Sequence, residues 1–339
     1  MTEVVRATVL GAGSWGTAFG AVLVDAGCDV TVWARRPELA AAINHSHANA
    51  DYLPGVTLPS GLKSTADAGA ALAGAELVVL AVPSQTLRQN LSQWVGQLPN
   101  DCVLVSLMKG IELRTSQRMS EVICEVADVP ADRVVVVTGP NLAKEIAARQ
   151  PAASVVACAD EAVAERLQAA CMTRYFRPYT NTDVVGCELG GTVKNVIALA
   201  VGMSAGMGFG DNAKASLITR GLAETTRLGA ALGADPMTFS GLAGLGDLVA
   251  TCASPLSRNR TFGERLGRGE TLDEITATTT QIAEGVKSCQ AVYDLARKYD
   301  VDMPITEHVV AVVHDGMSPM EMVRSLMSRD AKAERPVAR

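Results

Sequence analysis

Through its first 178 residues the chain alternates short apolar runs with alanine-rich stretches of helical period. The runs fall at residues 7–10, 30–34, 77–82, 102–107, 134–138 and 154–157. Strand followed by helix, repeated in this way, predicts an α/β domain built on a parallel sheet. Val78-Val79-Leu80-Ala81-Val82 and Val134-Val135-Val136-Val137 show no polar alternation, the pattern of strands covered on both faces, which places them at the sheet's centre. Beyond about Glu188 the strand pattern stops, and helical patterns cover residues 190–207, 212–232, 281–299 and 304–314. Two domains are therefore expected, residues 1–188 carrying the sheet and residues 189–339 all-α. Ligands of open α/β sheets gather beyond the carboxyl ends of the strands. That rule singles out Pro83-Ser84, Lys109-Gly110 and Gly139-Pro140-Asn141.

Gly11-Ala12-Gly13-Ser14-Trp15-Gly16 lies between the first run and a helical pattern that ends near Gly27. A GxGxxG in that setting predicts a dinucleotide site. Gly11 permits the tight turn out of the strand, Gly13 lets a pyrophosphate approach bare backbone, and Gly16 lets helix and strand pack closely. The N–H groups of Ser14 and its neighbours at the helix start face the phosphates. Trp15 either lines the nucleotide pocket or plugs the helix against the core. After the second run the chain reads Ala34-Arg35-Arg36, with no acidic residue where an NAD-specific site places one on the ribose. Two guanidiniums there suit a 2′-phosphate, so NADP is favoured over NAD; a solvated basic turn is the alternative.

Composition narrows the setting. Of 339 residues 48% are hydrophobic and 19% charged, enough material for two buried cores. A net charge of −6 supplies no basic field for nucleic acid or an anionic membrane. The longest uncharged apolar stretch, residues 196–210, is broken by glycines and too short to span a bilayer. No signal peptide pattern opens the chain, and a cytoplasmic location is expected. The eight cysteines are scattered, without a CxxC pair, and the histidines are not clustered; neither zinc nor a disulfide framework is expected, and the cysteines read as small buried hydrophobes. His45 and His47 fall in a stretch read as a polar loop.

Lys194 stands in Glu188-Leu189-Gly190-Gly191-Thr192-Val193-Lys194-Asn195, and helical spacing puts Gly190, Lys194, Ala198 and Val201 on one face. A lysine on a face of small residues either looks into open space or snorkels out of a close helix contact. The glycine-rich segment Gly241-Leu242-Ala243-Gly244-Leu245-Gly246 leads to Asp247, and Ser257-Arg258-Asn259 forms a donor-rich triplet suited to an anion.

GAGSWGTA at 11–18, MKGIE at 108–112, GPNLAKE at 139–145, GGTVKN at 190–195, GLAGLGDL at 241–248, SRN at 257–259 and AEG at 283–285 together resemble the bacterial NAD(P)-dependent glycerol-3-phosphate dehydrogenase family. The resemblance covers residues 5–315. It implies a Rossmann-type N-terminal domain and an all-α C-terminal domain like that of 6-phosphogluconate dehydrogenase. The implied reaction interconverts sn-glycerol 3-phosphate and dihydroxyacetone phosphate, feeding glycerophospholipid synthesis. Lys194 matches the family's proton donor and acceptor, a role suited to a lysine whose pKa is lowered by desolvation or by a cation such as Lys109 or Arg258. Lys109 matches a residue touching substrate and cofactor. Asp247 matches a substrate contact at the carbinol end, where it accepts from a hydroxyl or orients Lys194. Ser257, Arg258 and Asn259 fall at the phosphate end, with Arg258 also beside the cofactor. Gly139 and Asn141 match substrate contacts, while Ala143, Ile282 and Glu284 match cofactor contacts. The chain departs from the family at Asn141, where many relatives carry a hydroxyl residue, and at Met108, where they carry Ser. By analogy with such two-domain dehydrogenases a homodimer is expected. The rival functions are a reductase of another small acid, such as 2-dehydropantoate, and a non-catalytic nucleotide sensor.

Overall fold

The computed structural model describes residues 4–279, 283–331 and 333. Eight strands form one sheet: β1 (Arg6–Leu10), β2 (Asp29–Trp33), β3 (Leu62–Thr65), β4 (Leu77–Leu80), β5 (Val103–Ser106), β6 (Val134–Thr138), β7 (Ala152–Ala157) and β8 (Phe176–Asn181). Their spatial order is β3-β2-β1-β4-β5-β6-β7-β8. The order turns at β1, so that β1 and β4 flank a crevice at the carboxyl edge, the place where doubly wound sheets hold ligands. Leu77 and Val79 face one apolar cluster while Val78 and Leu80 face another. Both faces are covered, as the unbroken apolar run requires.

The expected parallel sheet carries one antiparallel pair. β6 and β7 pair antiparallel, with Val136 opposite Ala157, and β8 continues parallel to β7. The helix between them, Ala143–Ala147, has five residues. At about 1.5 Å per residue it falls short of the roughly 16 Å of a five-residue strand. The chain is therefore not carried back for a parallel return and enters β7 from the near end. β3 and β8 escape the apolar pattern because both are edge strands, Leu62–Thr65 alternating with Lys63 and β8 containing Pro178, which an edge tolerates. His45 lies in the helix Pro37–Ser46 rather than in a loop.

After β8 the chain turns at Asp183, whose Oδ1 accepts the Gly186 N–H at 2.8 Å, and enters the helix Val184–Gly206. Among the described residues this is the one helix long and apolar enough to cross a membrane. Here it is the axis of the second core, buried from Gly186 to Ser204. The helix Arg258–Gly267 crosses it at backbone contact distance. A Cβ on Gly202 would lie 2.1 Å from the Arg260 carbonyl oxygen, and one on Gly263 would lie 2.2 Å from that of Leu199. Gly206 and Gly267 repeat the relation one turn on, so the glycine spacing of four on each helix meets its counterpart. The central helix is also tied to the sheet side: Glu188, 5% exposed, accepts from Ser120 N at 2.8 Å, Ser120 Oγ at 2.6 Å and Arg118 Nη1 at 2.6 Å. All eight cysteines are free, six of them buried.

Candidate active site

At the fingerprint the glycines do what the turn demands. Gly11 has φ +128°, and a Cβ there would meet the Ala81 carbonyl oxygen at 2.5 Å. A Cβ on Gly16 would meet the Gly11 carbonyl oxygen at 2.1 Å, whereas Gly13 has nothing within 4 Å. Its backbone is thus open to a ligand. The helix Ser14–Asp25 starts at Gly13 with no side-chain cap, leaving its first N–H groups for an anion. Ser14 Oγ is occupied, donating to the Tyr52 carbonyl at 2.9 Å. Trp15 packs at a tilt against Phe19 with ring centroids 5.5 Å apart, and its buried Nε1 has no protein partner. An uncapped helix start, a bare glycine and an orphaned indole N–H fit a dinucleotide.

Beyond β2, Arg35 and Arg36 are exposed. Of these two arginines, Arg36 alone forms an ion pair among the described residues, with Asp51. Asp51 belongs to a segment that lies against the fingerprint: Asn49 Nδ2 donates to the Ala12 carbonyl at 3.0 Å and to Thr17 Oγ1 at 2.8 Å.

The chemistry-bearing groups converge on one carboxylate. Lys194, 8% exposed, and Asp247, 1% exposed, meet with Nζ 2.5 Å from Oδ1. Lys109 Nζ reaches Oδ2 of the same carboxylate at 2.6 Å and the Gly139 carbonyl at 3.0 Å. Burial brings the Lys194 ammonium down to about 8, opposed by Asp247 and reinforced by Lys109. Lys109 is a cationic neighbour that pushes it lower. Asp247 is brought here by a π-helical turn, Leu242–Gly246. A Cβ on Gly190 would sit 2.4 Å from the Ala243 carbonyl oxygen in that turn. The small face around Lys194 is therefore a close backbone contact, and the lysine's side chain turns to the carboxylate. Thr251, one turn past Asp247 on the same helix, is a member of the site that no motif marked, and its hydroxyl donates to Asp247 Oδ1 at 3.3 Å. Its Oγ1 accepts Lys194 Nζ at 2.7 Å. The signal was the i, i+4 spacing from Asp247 on one helix.

Gly139 has φ +120° and presents its carbonyl to Lys109. Asn141 Nδ2 donates to Ser154 Oγ at 3.1 Å, and its Oδ1 is buried without a partner. Ala143 opens the short helix after β6, packed against the same apolar cluster as Trp15. Glu284 is half-buried at the start of the helix Glu284–Lys298; burial raises its pKa, opposed by Arg258, Lys109 and Lys194. It thus lies within electrostatic reach of those three cations. Ile282 lies outside the described residues.

In the triplet, the three residues separate in role. Ser257 is the N-cap of the helix Arg258–Gly267, its Oγ accepting the Arg260 N–H at 3.3 Å. Asn259 is buried: its Nδ2 donates to Asn195 Oδ1 at 2.9 Å and its Oδ1 accepts the Gly285 N–H at 2.9 Å. It joins three helices next to Lys194. Arg258 alone is exposed. Of the donor-rich triplet, the guanidinium is the member presented outward.

Family models described as the N-terminus and the C-terminus of NAD-dependent glycerol-3-phosphate dehydrogenase match residues 6–164 and 183–324. The chain belongs to this family. It is 69% identical over 335 residues to the glycerol-3-phosphate dehydrogenase [NAD(P)+] of Streptomyces griseus, covering 99% of this chain and 100% of that one. The crystal structure of glycerol-3-phosphate dehydrogenase from Coxiella burnetii superposes with a TM-score of 0.91 at 36% identity, covering 96% of this chain and 99% of that one. A ketopantoate reductase from Ralstonia eutropha shares the fold, with a TM-score of 0.57 at 15% identity over 94% of this chain and 99% of its own. The Rossmann-type domain followed by a helical domain is thus the family's architecture.

Proposed function

We propose that the protein is an NAD(P)-dependent sn-glycerol-3-phosphate dehydrogenase that interconverts dihydroxyacetone phosphate and sn-glycerol 3-phosphate for glycerophospholipid synthesis. The observation that carries the reading is the buried Lys194, bonded to Asp247 and lowered to about 8. Reducing a ketone needs a proton delivered to its oxygen, and the reverse reaction needs one removed. A lysine near neutrality serves both directions, whereas an ordinary lysine holds its proton too tightly for the second. The relatives' names and the match along the whole chain support the choice of substrate.

Gly11, Gly13, Ser14, Trp15 and Gly16 would hold the dinucleotide's pyrophosphate end, Arg35 and Arg36 its adenosine end, and Ala143, Lys109, Arg258 and Glu284 the end nearer Lys194. Hydride donation and acceptance is the chemistry the dinucleotide supplies when bound. The residues of the chain do the rest. Lys194 moves the proton at the substrate's carbinol oxygen. Asp247 fixes both lysines and keeps Lys194 aimed. Lys109, Gly139 and Asn141 line the substrate's carbinol side. Arg258, at the start of its helix with Ser257 and Asn259 behind it, receives the phosphate by charge-assisted hydrogen bonds. In this reading residues 1–188 bind the cofactor and residues 189–339 shape the substrate site, and NADP is taken more readily than NAD.

Purified protein should oxidise NADPH, and NADH less readily, when dihydroxyacetone phosphate is added. No turnover of that ketone, together with turnover of 2-dehydropantoate, would select the other reductase. Cofactor binding without turnover of either would select a sensor. The reading further includes a cytoplasmic homodimer; a light-scattering mass of 35.4 kDa, that of one chain, would remove the dimer.

A further inference from the structure

The adenosine end of the proposed cofactor site has two walls of opposite sign. One is Ala34-Arg35-Arg36, held beside the fingerprint because β1 and β2 are neighbours and the Gly11 N–H donates to the Trp33 carbonyl at 3.3 Å. The other is the segment after the helix Pro37–Ser46. Asn49 fastens it to Ala12 and Thr17, and Tyr52 fastens it to Ser14. Asp51 stands between those two anchors and takes the Arg36 guanidinium. Anchored at Asn49 and Tyr52 on either side, the backbone at Asp51 is held beside the fingerprint.

We infer that Asp51 is a specificity-determining residue that limits the preference for NADP by competing with a 2′-phosphate for Arg36. The inference deepens the dehydrogenase reading and rests on the dinucleotide lying along this fingerprint. A 2′-phosphate approaching Arg36 meets a carboxylate already paired with it, and two like charges then compete for one guanidinium. A 2′-hydroxyl carries no charge and meets no such conflict. Arg35, which forms no ion pair among the described residues, is left to attract the phosphate without opposition. The arrangement is a balance: one arginine open, one occupied. It predicts a protein that accepts both cofactors, with its choice set by a residue fifteen positions beyond the arginine.

The test is binding of each reduced cofactor alone to wild type, Asp51→Asn, Arg36→Ala and the double variant, by cofactor fluorescence at low and high salt. Both members of the pair are about half-exposed, at 48% and 57%, so folding should survive, and a thermal melt checks that it does. Asp51→Asn is expected to tighten NADPH by about three- to tenfold at low salt and less at high salt, as expected for a partly screened charge. NADH should change by less than about twofold, since no 2′ charge is involved. The double variant should bind NADPH no better than Arg36→Ala. Weaker NADPH binding by Asp51→Asn would show that the carboxylate positions Arg36 for the phosphate and would overturn the inference. Equal changes for both cofactors, no change, or a gain that persists without Arg36 would overturn it too. Wild-type protein that binds neither cofactor would instead sink the dehydrogenase reading, so the two failures are distinct.

Discussion

Lys109 and Lys194 share one carboxylate: Asp247 receives the first on Oδ2 at 2.6 Å and the second on Oδ1 at 2.5 Å. One negative charge therefore serves two positive ones inside a buried site. Burial, reinforced by the excess cation, keeps Lys194 low, while the carboxylate keeps it from falling further.

The pH profile follows from that balance. Ketone reduction uses the ammonium form of Lys194, so its rate should hold below about pH 8 and fall above it. Alcohol oxidation uses the neutral amine and should rise through the same pH and then level off. Asp247→Asn withdraws the group that favours the ammonium form and should move both midpoints to lower pH, with a large loss of rate. Initial rates in both directions across this range check the signs; flat profiles would remove Lys194 as the proton carrier.

Lys194→Met keeps the volume and deletes the proton. It should lower kcat by about 10²–10⁴-fold, the range for losing a positioned general acid. Cofactor affinity should stay within about twofold, because Lys194 is bonded to Asp247 and Thr251 and to no residue of the fingerprint among the described residues. Rates and binding measured on the same preparation separate the two effects.

Arg258 and Asn259 are adjacent but should fail differently. Arg258→Ala should raise KM for dihydroxyacetone phosphate by about tenfold or more, the loss of a charge-assisted contact, with little change in melting temperature. Asn259→Ala leaves the Gly285 N–H and Asn195 Oδ1 unpaired and should lower stability by about 1–3 kcal/mol. Denaturant titration beside substrate kinetics distinguishes them.

Gly263→Ala should damage both stability and rate. Its methyl would fall 2.2 Å from a backbone oxygen, where neither helix has a side chain that can move aside. A loss of about 3 kcal/mol or more is expected, beyond the usual overpacking range because backbone itself must shift. Variants that still fold should show a raised KM as Arg258 is displaced. An unchanged melting temperature would mean that the crossing is looser than described.

The sheet's central strands were legible because burial on both faces writes itself as unbroken valine and leucine, and the fingerprint because its glycines sit between strand and helix. Edge strands β3 and β8 carry half a face of polar residues and a proline, so nothing in their own pattern set them apart. Lys194, Lys109 and Asp247 stood out through motif order, yet their sharing of one carboxylate depends on a π turn and on contacts across 53 and 138 residues of chain. No local pattern encodes such distances. Ser257 and Asn259 were read as anion donors from their chemistry alone; which of their atoms the helices already occupy appears only once the helices are assembled. Arg36 is the same case at the cofactor end, where Asp51 is supplied by a neighbouring segment.

The glycine seam between Val184–Gly206 and Arg258–Gly267 works as a fixed gauge. Where side chains fill a helix crossing, substitutions can widen or narrow it by small steps. Here carbonyl oxygens stand against bare α-carbons, so the spacing is set by covalent geometry. The span from the Lys194 amine to the head of the Arg258 helix is therefore resistant to drift. Substrates of another length must be admitted by changing the side chains between Lys194 and Arg258, because the helices that carry both are pinned.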